Sequence, residues 1–409
     1  MREIESHKKL VAIRSKEKTL RQRIITALCL ILRIPFALLN GISLFFRPRT
    51  RRGPQNIAVI KPCCLGDLLM TTPLLDVIHS AYPDARITYV AGSWSKVVPE
   101  HHQAISAIID CGSTGIPGRY SLSDYMKLAR RLRGYHFDLA FVLDRSPMMT
   151  LLPWLAGIPR RVGPDSLGRG FSLTTRVPVS TSPNELQHEA EISLNLARAI
   201  GLPVREPRMR FEPTAEERRG ALGSSHMQVA ILPGGGSNPG MELTAKRWPL
   251  DRYRELARRL VRELDVEVLL IGGPEDAELN ARLLEGLDVP EGSVKNIAGK
   301  TSFGELAAQL ERCALFIGND SSPMHLAAAV GTPVIAIFGP TSPQEYGPYP
   351  PDDPMHVSLW HPASAQPCFF MGKMRSSEGC RCIESVTLDE VWQAVQQIIS
   401  GIQSKEVAH

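Results

Sequence analysis

An α/β protein of two doubly wound, Rossmann-like domains with a cleft between them is the architecture this sequence predicts. Three observations lead there. Short apolar runs rich in branched residues alternate with helical periodicity, and they do so in two separate stretches of the chain. The loops after these runs carry glycines, lysines and acids, at the sheet edge where open parallel sheets bind ligands. A chain of 409 residues at 43% hydrophobic content is long enough to bury two cores.

Residues 1–54 form an arm of different composition. They hold thirteen Lys/Arg against three Glu, which leaves the rest of the chain near −5 although the whole is +5. The globular part therefore gives no reason to expect a nucleic-acid partner. From Ile24 to Phe46 the arm is apolar and, as one helix, about 35 Å long, enough to cross a bilayer. Against a simple span, Arg33 lies mid-segment and Pro35 is expected to break or kink the helix. Thr26, Arg33, Asn40 and Arg47 recur every seven residues as a narrow polar stripe, as in a helix lying in a membrane interface. Basic residues flank both ends (Lys16, Lys18, Arg21 and Arg23; Arg47, Arg49, Arg51 and Arg52), which favours one anionic leaflet over a crossing. No small-x-small cleavage site follows the apolar run. The expectation is a monotopic anchor through residues 22–52. A true span, or a helix packed on the body of the protein, are the alternatives.

The first α/β half, residues 55–205, opens with NIAVIK (Asn56–Lys61), a helical LLMTTPLLDVIHSAY and the strand ARITYVAG; LSDYMKLARRLRG and DLAFVLD continue the alternation. Proline-rich text around PVREPRMRFEP marks an interdomain linker, set at 206–225. The second half, 226–385, runs through QVAILPGGG, LDRYRELARRLVREL, VEVLLIGGPED, SFGELAAQLERC and ALFIGND, and a helix and tail follow at 386–409.

Gly318–Thr341, GNDSSPMHLAAAVGTPVIAIFGPT, places small polar residues between two strands. Pro323–Val330 must be the crossover helix, with Ser322 as N-cap, Pro323 first, Gly331 in the left-handed position after it and Pro333 blocking continuation. A helix start at a sheet's carboxyl edge offers free N–H groups to an anion, a phosphate or diphosphate above all. An isolated Asp-Ser-Ser-Pro more often just caps a helix. Here three other strand ends carry loaded loops: KPCCLGD (Lys61–Asp67), LPGGGSNPGMELTAKRW (Leu232–Trp248) and GGPED (Gly272–Asp276).

Taken together, AVIKPCCLGDLLMTTPLL, AKRWP, IGGPED, AGKTSFGELA and GNDSSPMHLAAAVGTPVIAIFGPT, in that order, resemble the family 9 glycosyltransferases, best known for the ADP-heptose:lipopolysaccharide heptosyltransferases. The likeness runs over about residues 55–400. It implies a GT-B fold, acceptor contacts in the N-terminal half, a nucleotide-sugar in the C-terminal half, and inversion at the anomeric carbon with no cofactor and no obligatory metal. It implies Asp67 of the Leu-Gly-Asp turn as general base and Lys246 at the donor phosphate. Glu275 falls on the ribose hydroxyls, and Asp320, Ser321, Ser322, Met324 and His325 on the diphosphate loop. Gly234, Gly235 and Ser237 join the donor side; Lys61, Leu65 and Gly66 join the acceptor side. These roles agree with the chemistry: a carboxylate in the cleft can take the acceptor hydroxyl's proton. Lys246 and backbone amides can offset charge on a departing diphosphate in place of a divalent cation. For His325, placed third in the helix, the backbone N–H is expected to matter more than the ring.

Eight cysteines scattered in a long chain fit a reducing cytosol. Cys368, Cys380 and Cys382 lack the fourth ligand and the C-x2-C spacing of a structural zinc site, so no metal is expected there. The reading as a whole is a glycosyltransferase at the cytoplasmic face of a bacterial inner membrane. It would move a sugar, heptose by the resemblance, from a nucleotide-diphosphate sugar to a lipopolysaccharide-core or other glycan or glycolipid acceptor. The arm is an addition to the compact heptosyltransferase pattern and makes a lipid-linked acceptor more credible. A nucleotide-sugar epimerase of the same architecture and a catalytically inactive sugar-nucleotide binding protein are the rival readings.

Overall fold

The computed structural model describes residues 22–41, 53–116, 118–238, 241–364, 367–370, 373–374 and 380–407. After helix α1 (Gln22–Gly41) the first domain contains β1 (Asn56–Ile60), α2 (Leu65–Leu69), α3 (Thr72–Ala81), β2 (Arg86–Ala91), α4 (Val97–Glu100), β3 (Ala107–Asp110), α5 (Leu122–Arg133), β4 (Leu139–Val142), α6 (Pro147–Leu155), β5 (Arg160–Asp165), β6 (Thr175–Pro178) and α7 (Glu189–Arg198). The segment read as a linker holds one short helix, α8 (Ala215–Gly220), closed by a capping box between Thr214 and Glu217. The second domain contains β7 (Gln228–Leu232), the small hairpin β8 (Ser237–Asn238) and β9 (Met241–Glu242), α9 (Leu250–Leu264), β10 (Glu267–Leu270), α10 (Ala277–Leu284), β11 (Val294–Asn296), α11 (Phe303–Arg312), β12 (Leu315–Asn319), α12 (Ser322–Ala329), β13 (Val334–Phe338), α13 (Pro343–Tyr346) and β14 (His356–Trp360). The hairpin β15 (Phe369–Phe370) and β16 (Lys373–Met374) follows, then α14 (Leu388–Val407).

Both six-stranded sheets are parallel and share one topology, β3-β2-β1-β4-β5-β6 and β11-β10-β7-β12-β13-β14. Central strands are buried on both faces, which is why NIAVI, LAFV, QVAIL and VIAIF read as continuous apolar runs rather than alternating ones. The order reverses at β1/β4 and at β7/β12, and a crevice opens outside the carboxyl ends of each pair. Helix α14 packs its Val391, Val395 and Ile398 into the second core.

Helix α1 differs from expectation in two ways. It runs unbroken through Pro35, and its polar stripe faces the protein. Arg33 pairs with Asp165 at 3.5 Å, Asn40 donates to the Leu173 carbonyl at 3.2 Å and also binds Arg161, and Phe36 lies edge-on against Trp154 and Phe171. Ile31, Ile34 and Leu38 remain 66–70% exposed on the other side. Arg47 and the basic flanks, apart from Arg23, lie outside the described residues.

Candidate active site

The alanine-rich helix α12 begins one residue earlier than the sequence indicates. Ser321, in extended conformation, is its N-cap and makes no side-chain capping bond; Ser322 is the first helical residue and Pro323 the second. Gly331 takes the expected left-handed conformation at φ +86°. The early start narrows the anion cradle, because the Met324 and His325 amides both turn back to the Ser321 carbonyl, at 3.1 and 3.4 Å. Ser321 and Ser322 supply the amides left at this helix start.

Met324 is fully buried in the core and His325 is 3% exposed, so neither side chain is a free donor contact. Burial lowers the His325 pKa to about 4, so the ring is neutral, and its Nδ1 has no hydrogen-bond partner. The ring instead packs against the first domain. A Cβ at Gly66 would come within 2.9 Å of His325 Cδ2, so glycine there lets α2 and α12 meet across the cleft. Asp67, read as part of a turn, is the third residue of α2, directly over the start of α12.

Lys246 Nζ and Asp320 Oδ2 lie 2.6 Å apart, and Thr341 Oγ1 donates to the same oxygen at 2.6 Å. The two residues assigned separately to the donor thus form one buried pair. Asn319, which the sequence reading passed over, organises the loops around it. Its amide donates to the Pro233 and Gly234 carbonyls, and its Oδ1 accepts from the Trp248 N–H and the Tyr253 hydroxyl. One side chain thereby fixes the glycine loop and the AKRWP segment against the end of β12. Asp276 plays a similar part, accepting from the Gly235 and Gly273 amides at 3.1 and 3.0 Å. Gly234 sits behind this wall: a Cβ there would fall 1.9 Å from Asp276 Oδ1.

Three chambers run along the cleft. The first, about 220 Å³, is walled by Gly235, Ser237, Lys246, Glu275, Phe303 and Ser321, with Trp94 and Leu65 from the opposite domain. Leu65, placed with the acceptor by the sequence reading, lines this chamber together with residues placed with the donor. The second, about 240 Å³, holds Gly66, Asp67, Lys246, Ser322, Thr341 and Phe369. The third, about 340 Å³, holds Lys61, Asp67, Arg145, Arg169, Glu189 and Tyr346. Asp67 borders the second and third, and Lys246 borders the first and second.

The third chamber is highly charged. Lys61 Nζ lies 3.3 Å from Asp67 Oδ2, and Arg145 pairs with Glu189. Burial works against the charge on Lys61, yet Asp67, Glu189 and Asp144 together hold its pKa above the ordinary value. Behind it, burial and the nearby Glu189 charge push the Glu345 carboxyl up to about 7, and its Oε2 has no partner. Arg145, Arg169, Glu189 and Glu345 were missed by the sequence reading because they come from the loops after β4 and β5, the start of α7 and the short helix α13, with no local motif. Cys63 and Cys64, just before α2, are joined by a disulfide. The thiols of Cys368, Cys380 and Cys382, whose spacing in the sequence does not match a structural zinc site, come together within 4.8 Å.

Two Rossmann-like domains of identical topology, with loaded loops at facing switch points, define a GT-B enzyme, and the comparisons agree. Residues 125–377 match the model of glycosyltransferase family 9 (heptosyltransferase). The chain is 30% identical over 305 residues to lipopolysaccharide heptosyltransferase 2 of Escherichia coli K12, covering 71% of this chain and 84% of that protein. It is 31% identical over 304 residues to lipooligosaccharide heptosyltransferase 2 of Haemophilus influenzae, covering 71% and 85%. The crystal structure of a family 9 glycosyltransferase from Veillonella parvula superposes with a TM-score of 0.71 at 26% identity, covering 85% of this chain and 98% of that one. The chain belongs to glycosyltransferase family 9 and is a glycosyltransferase.

Proposed function

We propose that this enzyme transfers a heptosyl residue from ADP-heptose, with inversion, to a glycolipid acceptor of the lipopolysaccharide-core type at the inner surface of the bacterial inner membrane. The relatives, named as lipopolysaccharide and lipooligosaccharide heptosyltransferases, support the heptosyl group and the acceptor class; both are transferases, and neither favours the epimerase reading. The observation that carries the chemistry is that Asp67 and the Lys246–Asp320–Ser322 group line the same middle chamber. An acceptor hydroxyl entering from the third chamber and a donor diphosphate lying in the first would meet there.

In this reading Glu275 grips the ribose hydroxyls beside Phe303, and the Ser321 and Ser322 amides hold the diphosphate. The pair with Asp320 does not remove Lys246 from that task. An ammonium has three N–H bonds, and with one spent on Asp320 the others stay aimed at phosphate oxygens. As the glycosidic C–O bond to the diphosphate breaks, charge grows on oxygens already facing these donors. Asp67 takes the acceptor proton, and the Lys61 ammonium stands beside it at 3.3 Å.

Helix α1 serves the acceptor in this account. Loop 166–170 touches it, since a Cβ at Gly168 would meet Leu30 at 2.8 Å, and the same loop contributes Arg169 to the third chamber. With its polar stripe held by the protein, α1 offers Ile31, Ile34 and Leu38 to a bilayer surface next to where a lipid-linked sugar would enter. The test is to incubate the enzyme with ADP-heptose and a heptose-terminated core acceptor, alongside GDP- and UDP-sugars. Gain of one heptosyl mass by the acceptor, with ADP release, is the expected result. Transfer only from another nucleotide-sugar, or sugar conversion without acceptor, would refute the assignment.

A further inference from the structure

We propose that Cys368, Cys380 and Cys382 bind a soft divalent cation of the zinc class, which fastens the hairpin loop supplying Phe369 to the cleft. All three Sγ atoms lie within 4.8 Å of one another, and those of Cys368 and Cys382 are 3.5 Å apart. Thiolates at about 2.3 Å from a tetrahedral zinc ion stand roughly 3.8 Å from each other, whereas a disulfide holds its sulfurs at about 2.05 Å. The Cys368–Cys382 separation of 3.5 Å is near the first figure and far from the second, and the Cys380 sulfur lies no more than 4.8 Å from either.

Burial alone does not account for the convergence. Packing as small hydrophobes does not require sulfurs to meet, yet here they do, with Cys368 and Cys382 in a thiol–thiol contact at 3.5 Å that a shared cation would replace. Cys380 and Cys382 are 8% and 5% exposed, so the cluster is screened from solvent on the protein side. Three thiolates fill three tetrahedral positions, and a water molecule completes the fourth.

The position gives the ion a task. Cys368 immediately precedes β15, while Cys380 and Cys382 close the excursion from the other end. The chain is also anchored beside the cysteines: the Phe369 N–H donates to the Pro340 carbonyl at 2.8 Å, and Trp248 Nε1 donates to the Val386 carbonyl at 2.8 Å. Next to those anchors, the ion would cross-link the two ends of the loop that sets Phe369 beside Asp67 and Asp320.

The experiment uses the full-length protein, grown with zinc, purified under reducing conditions and dialysed into metal-free buffer. Elemental analysis should find about one zinc per chain. Cobalt exchanged into the site should give thiolate-to-cobalt charge-transfer absorption and intense tetrahedral visible bands. Cys380→Ser with Cys382→Ser should lower the bound metal at least tenfold, while Cys111→Ser, at a buried thiol elsewhere, should leave it unchanged. If the double variant does not fold, the cobalt spectrum of the native sequence decides. Absence of stoichiometric metal together with absence of the cobalt bands would overturn the proposal, and so would a Cys368–Cys382 disulfide in the protein isolated under reducing conditions.

Discussion

Asp67→Asn isolates the proton-transfer step. The substitution keeps the shape of the side chain and removes its basicity, and general-base catalysis typically contributes 10²–10⁴-fold, or about 2.7–5.5 kcal/mol of barrier. The structural cost is small. Asp67 is 39% exposed and its contact with Lys61 is 3.3 Å, so losing that pair costs about 1 kcal/mol or less. Lys61 keeps Glu189 and Asp144 nearby and is not left as an isolated charge. The first chamber, proposed above for the donor, is one that Asp67 does not line. The assay is nucleoside-diphosphate release at saturating donor and acceptor, paired with calorimetric titration of the donor nucleotide. The expected outcome is a kcat at least about a hundredfold lower, with donor Kd within about twofold of the parent. A kcat within tenfold of the parent would remove Asp67 from the role of base, and a parallel loss of donor affinity would show that it acts through binding.

The Glu345 carboxyl, raised to about 7 by burial, stabilises the fold fully below its unfolded value near 4.5 and loses that stabilisation as pH rises through 7. Glu345→Gln should therefore gain on the parent between pH 5 and pH 8, by on the order of 2 kcal/mol, read from denaturant midpoints; an equal difference at both pH values would contradict this. Gly234→Ala would drive a Cβ to 1.9 Å from Asp276 Oδ1, which also receives the Gly235 amide. Expected are roughly 2 kcal/mol or more of lost stability and a weakened donor nucleotide, and a variant with parental Tm and donor Kd would show that the wall yields. Removal of residues 1–52 should leave a folded, soluble enzyme that binds donor but no longer sediments with anionic vesicles. Aggregation of that variant would show instead that the exposed Trp154–Phe171 face needs α1 as part of its core.

Both sheets were legible because parallel strands buried on two faces leave apolar runs, and because helices such as α5 and α9 carry full amphipathic patterns, α5 with a capping box between Ser121 and Asp124. The site was legible only where it coincides with a strand-end motif. Asp67, Lys246, Glu275 and Asp320 stand on such motifs, all four line the cleft, and they were singled out through the family resemblance. Asn319 and Asp276 were not, because each works through backbone groups distant in sequence. Arg145, Arg169 and Glu189 converge on Asp67 only through the doubly wound topology. For α1, the seven-residue polar stripe was real but its direction was not readable: Arg33 and Asn40 fit a headgroup layer or a protein face equally well, and Asp165 and Leu173 decided it. The convergence of the three thiols was not readable because linear spacing says little about a hairpin that folds back on itself.

The account turns most on where the diphosphate is held, and calorimetry of ADP against AMP in the presence of a chelator measures that directly. The prediction is that ADP binds without divalent metal and more tightly than AMP, and that Lys246→Met abolishes the difference between the two nucleotides. Dependence of ADP binding on a divalent ion, or an ADP preference that survives Lys246→Met intact, would contradict it.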